Sequence, residues 1–272
     1  MKRHLVNIIN ILYLFFLLSC TSQSTVSINN GYVDFPEVRA LKAKTIQLDT
    51  ALFCYPFRVH AWDNKAVVLD LHGTDHYFHA FSYPEFHYLS SFGKRGDSPE
   101  EMLSAENFRW GEKCLWTLDA NKSELTELGF ALSGDTLLRQ EVVKLDKDIL
   151  RALDFIIYED FTFIIPDYTG DNRFCQVSSE GKLLRKFGAI PSANEEALAN
   201  SRPALAQAWR SFIDYNPRKG VLVAATQLGE VLEIYNLKDS THVVCIGPHG
   251  EPEFQVAEGY GCLLYTSPSP RD

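Results

Sequence analysis

From about residue 66 onward the chain is written in short apolar runs, each closed by a cluster of Asp, Asn, Gly, Ser or Pro. Runs this short, bounded by turn formers, read as strands rather than helices. They fall into four similar units. The first has Ala66 to Leu71, a turn at His72-Gly73-Thr74-Asp75, His76 to Phe81, a Tyr83-Pro84 turn, and Phe86 to Leu89. The second has Cys114 to Asp119, a turn at Ala120 to Ser123, Leu125 to Phe130, and a Ser133-Gly134-Asp135 turn. The third has Phe161 to Asp167, a turn at Tyr168 to Asn172, Arg173 to Val177, a Ser179 to Lys182 turn, and Leu183-Leu184. The fourth has Val221 to Thr226, a Leu228-Gly229 turn, Val231 to Tyr235, and Thr241 to Ile246. The units start about 45–60 residues apart, close to the ~40–50 residues of a four-stranded propeller blade. A β-sandwich also has short strands, but not the same strand–Asp–turn–strand order four times over. The pattern therefore predicts an all-β propeller, with four blades and the start of a fifth near Phe254. Val38 to Leu48 reads as an extra strand ahead of the first blade, placed to complete the last blade and close a ring.

A loop recurs between units. Gly93-Lys94-Arg95-Gly96-Asp97-Ser98-Pro99-Glu100 ends the first, and Gly247-Pro248-His249-Gly250-Glu251-Pro252-Glu253-Phe254 ends the fourth. A degenerate copy, Phe187-Gly188-Ala189-Ile190-Pro191, ends the third. Residues 192–209 break the strand rhythm. Asn194 to Ala199 and Ala204 to Trp209 are rich in helix formers. Ser192 is placed to cap the first piece with Glu195 completing a capping box, and Pro203 separates the two. The segment predicts a short helical insertion between the third and fourth blades.

Both ends depart from the rhythm. Residues 1–19 read as a lipoprotein signal peptide, with Lys2 and Arg3 ahead of an apolar run from Leu5 to Leu18. The run is short for a bilayer span. It closes in Leu17-Leu18-Ser19-Cys20, which resembles a bacterial lipobox. That resemblance implies cleavage before Cys20 and lipidation of Cys20. Residues 20–35 follow as a polar tether, too poor in apolar surface to order itself. At the other end, residues 262–272 resemble translated sequencing-adapter read-through and are set aside as a non-native tail. The partial propeller domain is then expected over 36–261.

Composition narrows the partners. The formal charge is −9, and removing residues 1–19 takes away Lys2 and Arg3 and no acid, leaving −11. Nucleic-acid affinity rests on neutralising phosphates, so no nucleic-acid partner is expected. Besides Cys20 and Cys262, the cysteines are Cys54, Cys114, Cys175 and Cys245, with no close pairs. Three of these lie within apolar runs, where a thiol behaves as a small hydrophobe. No Cys/His spacing suits zinc.

Candidate chemistry is sparse. His72, His76, His79 and His87 cluster along the chain, but across turns and a strand rather than as converging ligands. Arg95-Gly96-Asp97 matches an adhesion tripeptide, yet it sits in a Gly/Pro turn where these residue types are common. Asp70, Asp119 and Asp167 recur after the first clear strand of successive units. They read as turn chemistry, their carboxylates accepting backbone amides; the alternative is a set of calcium or acid–base ligands at one rim. Nucleophile-elbow, P-loop and His-Glu-x-x-His motifs are missing from the sequence. No catalytic, cofactor-binding or metal-ligating residue is singled out, and no cofactor is expected; Cys20 is the one site residue.

Phe187-Gly188-Ala189-Ile190-Pro191, Gln207-Ala208-Trp209, Phe212 to Gly220, Val223 to Thr226 and Leu232 to Asn236 carry a family resemblance. With the lipobox and the Gly93 to Glu100 loop, they are similar to the six-bladed, TolB-like propeller lipoproteins of Bacteroidetes, a family largely of unknown function. The resemblance spans roughly residues 17–258, with fewer blades than six. It implies a lipid-anchored protein of the cell envelope, on the outer membrane and facing the periplasm. The expected role is a non-catalytic binding or scaffold module, attached to the membrane through Cys20 and meeting an envelope protein or a glycan or peptide ligand. The alternative is a propeller hydrolase, lactonase or lyase with a metal site at the central channel.

Overall fold

The computed structural model describes residues 26–30, 37–48, 53–111, 114–130, 137–256 and 263–264. The signal segment, Cys20, Cys262 and the Ser133-Gly134-Asp135 turn lie outside the described residues. A strand β1 (Val26–Asn30) precedes four sheets. The first blade is β2 (Pro56–Trp62), β3 (Lys65–Asp70), β4 (His76–Ser82) and β5 (Tyr88–Lys94). The second is β6 (Ala105–Trp110), β7 (Cys114–Asp119), β8 (Glu124–Phe130) and β9 (Leu137–Lys144). The third is β10 (Ile156–Ile157), β11 (Phe163–Pro166), β12 (Phe174–Val177) and β13 (Leu183–Phe187). The fourth is β14 (Ser211–Asn216), β15 (Val221–Thr226), β16 (Val231–Asn236) and β17 (Thr241–Ile246). Each blade is an antiparallel meander in chain order. The first strands meet from blade to blade, β2 with β6 and β10 with β14, so they form the inner edge around a common axis.

Successive side chains on a strand point to opposite faces, and here both faces are apolar. On β7, Cys114, Trp116 and Leu118 pack toward the third blade against Phe163, Ile165, Cys175 and Val177. Leu115 points the other way, toward Leu69, Phe78 and Phe92 of the first blade. On β11, Ile164 faces Ile213, Leu222 and Ala224 of the fourth blade. Three such layers join the four blades. A fully buried Leu or Phe is worth ~1.5–3 kcal/mol, so these layers supply most of the stabilisation. No comparable layer joins the fourth blade to the first among the described residues, and Val221, Val223, Leu232 and Ile234 stay half-buried on the fourth blade's far face.

Polar groups fix the blade entries. The buried Asp70 carboxylate accepts from the amides of Cys54 and Tyr55, each at 2.6 Å, just ahead of β2. Asp119 does the same ahead of β6, accepting from Leu103 at 2.7 Å and Ser104 at 3.3 Å. It also holds its own turn through the amides of Asn121 and Lys122. Asp167 serves its turn through Thr169 and pairs with Lys186 at 3.1 Å. The fourth blade has Thr226 at this point, whose hydroxyl accepts from Val231 N at 3.2 Å.

One buried ion pair ties the third blade to the fourth. Arg173, 2% exposed, meets Glu233, 0% exposed, at 2.5 Å, and donates to Trp209 O and Ser211 Oγ. Tyr235 donates to the other carboxylate oxygen at 2.6 Å. His242 Nε2 lies 3.4 Å from that oxygen and stacks on Tyr235 with centroids 3.8 Å apart. Burial alone would raise the Glu233 carboxyl, but the Arg173 charge and the hydrogen bonds outweigh it and hold it below the ordinary carboxylate range.

Several sequence expectations are revised. The four units each lack their first strand, since β2, β6, β10 and β14 precede the runs read as blade starts, and the second unit also lacks its last, β9. The residues of β2, β6 and β14 alternate between core and axis, so they carry Arg, His, Asn and Asp where an apolar run was sought, and β10 is only two residues long. Val38 to Leu48 is not a strand; it is irregular, with Val38 and Leu41 about nine-tenths exposed. The extra strand is β1, inside the stretch read as an unordered tether. It adds parallel to β17, from Val26 opposite His242 to Asn30 opposite Ile246, because an outer strand leaves a row of unpaired amides and carbonyls. Phe86 is a turn residue with φ of 62°, and the strand begins at Tyr88. Gly93 ends a strand rather than sitting in a loop; its φ is 65° and a Cβ there would come within 2.6 Å of the Phe78 ring. Arg95 is held by the Gly73 carbonyl at 3.0 Å and the face of Tyr77.

The helical insertion is present as Glu195–Asn200 and Arg202–Ala208, with Pro203 in the first turn of the second helix. Its cap is Asn194, which accepts from Ala197 N at 2.9 Å, not Ser192. Ser192 instead donates to Glu251 at 2.6 Å, tying the insertion to the loop after the fourth blade. Beyond Phe254, β18 (Gln255–Val256) pairs with β19 (Leu263–Leu264), and β19 falls within the residues read as a non-native tail.

Asp119→Ala should lower the unfolding free energy by about 2–4 kcal/mol in urea titration, since unsatisfied buried donors cost ~1–3 kcal/mol each. Because the Glu233 carboxyl is depressed, its stabilisation is full above the unfolded value of ~4.3 and disappears as pH falls through the lower folded value. Thermal midpoints measured from pH 6 down to pH 3 should therefore drop, and Glu233→Gln should flatten that slope while lowering the midpoint throughout.

Candidate axial site

The pairings place one set of inner-strand positions at the same level. Arg58 pairs with Leu69, Asn107 with Leu118 and Phe212 with Ala225. Counting back from the Ile156–Ile164 pair, Asp154 falls at the same level on the third blade. Two residues on, and so on the same face, are His60, Arg109, Ile156 and Asp214. The axis is thus lined at two levels by Arg58, Asn107, Asp154 and Phe212, then by His60, Arg109 and Asp214, while Ile156 is buried in the layer against the fourth blade.

Asp154 is the hub. Its carboxylate, 6% exposed, accepts from Phe155 N at 2.7 Å, from Asn107 Nδ2, from Arg109 at 3.0 Å and from Ile213 N at 3.4 Å. Arg58 lies 3.8 Å away. Arg109 spans three blades, donating also to Phe155 O at 2.9 Å, Ile213 O at 2.5 Å and Asp214 at 3.3 Å. Asp214 itself is 85% exposed. Phe57 of the first blade and Phe212 of the fourth meet across the axis with centroids 6.1 Å apart. The Arg58 guanidinium sits 6.0 and 5.9 Å from their ring centres.

Charge at the axis is uneven. Desolvation first, then Arg109, lower the His60 imidazole. Burial lowers Arg58 against the pull of Asp154, though a guanidinium stays charged at neutral pH. Tyr168, beside Arg58 and Asp154 at one end of the axis, has its phenol pushed up to about 12 by burial.

The residues singled out from sequence are not brought to this site. Asp70 and Asp119 hold blade entries. Among the histidines, His79 pairs with Ser91 Oγ at 2.8 Å and His72 packs edge-on to Tyr55. Among the described residues no three His, Cys, Asp or Glu side chains come together as metal ligands. Cys114 and Cys175 are buried and unbridged, and burial pushes the Cys175 thiol up to about 12. Sequence reasoning missed Arg58, Arg109, Asp154 and Asp214. The signal for them was their fixed offset from Asp70, Asp119 and Thr226 across each inner-strand pairing.

Four sheets arrayed about an axis lined by mixed charges and aromatics define a β-propeller with an axial site. The family described as TolB-like 6-blade propeller-like matches residues 34–267, and the chain belongs to it. A comparison with curated proteins gives no match. Among solved structures the chain is similar to a candidate exported protein of Bacteroides fragilis, with 11% identity and TM-score 0.48 over 81% of this chain and 80% of that one. It is similar to a DUF4221 family member of Bacteroides vulgatus, with 10% identity and TM-score 0.47 over 74% and 61%. It is also similar to a candidate 6-phosphogluconolactonase of Bacteroides fragilis, with 14% identity and TM-score 0.44 over 79% and 63%. The chain thus spans less than two thirds of the last two.

Asp154→Ala should cost about 3–5 kcal/mol in urea unfolding, the usual cost of stranding buried cations. Asp214→Asn, at an exposed pair, should stay within ~1 kcal/mol of the parent in the same measurement.

Proposed function

We propose that this chain is a lipid-anchored envelope propeller that acts as a non-catalytic binding or scaffold module, meeting its ligand at the axial mouth. The observation that carries this reading is the chemistry of the axis. A metal-dependent propeller enzyme needs several acids or amides whose oxygens are free to converge on an ion. Here the Asp154 oxygens are already engaged by Asn107, Arg109 and two main-chain amides, and Asp214 leans on Arg109. What remains open is Arg58, His60 and the Phe57–Phe212 pair. Aromatic faces beside cations and a polar rim suit recognition of a sugar or peptide, on loops and edges held by a rigid scaffold. The membrane attachment rests on Leu17-Leu18-Ser19-Cys20, and it puts the ligand in the envelope.

The full chain, purified in detergent, should bind envelope oligosaccharides or short peptides in calorimetry, and Phe212→Ala should weaken that binding about 10-fold or more. Calcium-dependent turnover of a lactone or glycan would overturn the reading in favour of an enzyme. Cys20→Ser should move the protein from the membrane fraction to the soluble fraction; retention in the membrane would remove the lipid anchor.

A further inference from the structure

One end of the axis holds a small cavity of about 10 Å³ among Arg58, Asp154, Tyr168, Arg210 and Phe212. That is at the lower bound of the space one water needs, ~10–15 Å³, so it admits one oxygen-sized group. Three observations bear on what that group is. The Tyr168 hydroxyl is buried and has no hydrogen-bond partner among the described residues, and the residue is 4% exposed. A buried donor left open is costly unless something accepts from it. Arg58 stands 3.8 Å from Asp154 Oδ2, an ion pair beyond hydrogen-bond reach, while Asn107, Arg109 and Phe155 N crowd the other oxygen. Arg210 is half-buried and has no ion-pair partner among the described residues. Arg151 and Arg173 also act electrostatically on Tyr168, and Glu233 already offsets Arg173. The cavity is therefore lined by two arginines against the single carboxylate of Asp154, with the open Tyr168 hydroxyl beside them.

We infer that this cavity takes one oxygen of an anionic ligand, a carboxylate or a phosphate, held by Arg58, Arg210 and the Tyr168 hydroxyl. The inference rests on the axial-binding reading above and names its ligand class. Charge-assisted hydrogen bonds are short and strong, and a low-dielectric cleft strengthens them further. The rest of the ligand would lie along the axis toward Phe57 and Phe212, where an apolar or sugar face fits. A neutral solute lacks the charge that Arg58 and Arg210 together select.

Calorimetry on the full chain with sodium acetate, inorganic phosphate and D-galactose tests this. Saturable binding of acetate or phosphate, without galactose binding, is expected, and the arm that binds tells a carboxylate from a phosphate. Tyr168→Phe should weaken that binding about 10-fold, the worth of one hydrogen bond to a charged group, without lowering the thermal midpoint, because its hydroxyl bonds nothing among the described residues. Arg58→Gln should weaken it at least as much. Anion binding unchanged in both variants, or no anion binding at all, overturns the inference and leaves the cavity to water. If a neutral oligosaccharide binds and is lost in Phe212→Ala while acetate and phosphate do not bind, the anion inference fails and the axial reading stands.

Discussion

The carboxylate of Asp154 is touched by all four blades. Asn107 and Arg109 reach it from the second, Ile213 from the fourth and Arg58 from the first, while it caps the entry to the third. A charge this deep is tolerable only with a full set of donors. The blades must therefore sit at their mutual angles for the axis to be satisfied. The apolar layers between blades supply the stabilisation, but such layers slide easily. The axial polar network specifies which arrangement is kept.

The same logic operates further out. Sheets with two apolar faces cannot stand alone in water, so each blade is covered by its neighbours. The Arg173–Glu233 pair adds direction to the third layer, fixing Ser211 and Trp209 where the helical insertion rejoins the sheet. Asp70 and Asp119 set the phase of β2 and β6 by gripping the two amides before each. On these two strands the position of the axial residues follows from turn chemistry: once the entry is pinned, the alternation of the strand decides which side chains face the axis.

Much of the fold was legible in the chain. The second and third strands of each blade, the fourth strand of every blade but the second, the insertion with its Pro203 break, and the family all show in apolar runs and turn residues. The inner strands did not, for a physical reason. Phe108, Phe155 and Ile213 face a neighbouring blade, but their strand neighbours Arg109, Asp154 and Asp214 face the axis. Polar residues opposite a polar partner leave no apolar run to find. The axial site was hidden with them, and the aspartates and histidines that do stand out in the chain were weighed there and not taken as a site. Likewise Val38 to Leu48 looked like an edge strand by composition, while β1 took that place; edge pairing depends on where an open edge lies, which no local pattern records.

By itself the sequence determined the blade count, the strand–turn grammar and the insertion, because these follow from local propensity and period. Tertiary structure alone decided that Arg58, Arg109, Asp154 and Asp214, spread across 157 positions of chain, converge on one axis. It also decided which amides the recurring aspartates, read from sequence as turn residues, hold ahead of β2 and β6. Convergence is set by how sheets stack and twist about the axis, and each side chain's role by the partners that stacking brings within hydrogen-bond reach.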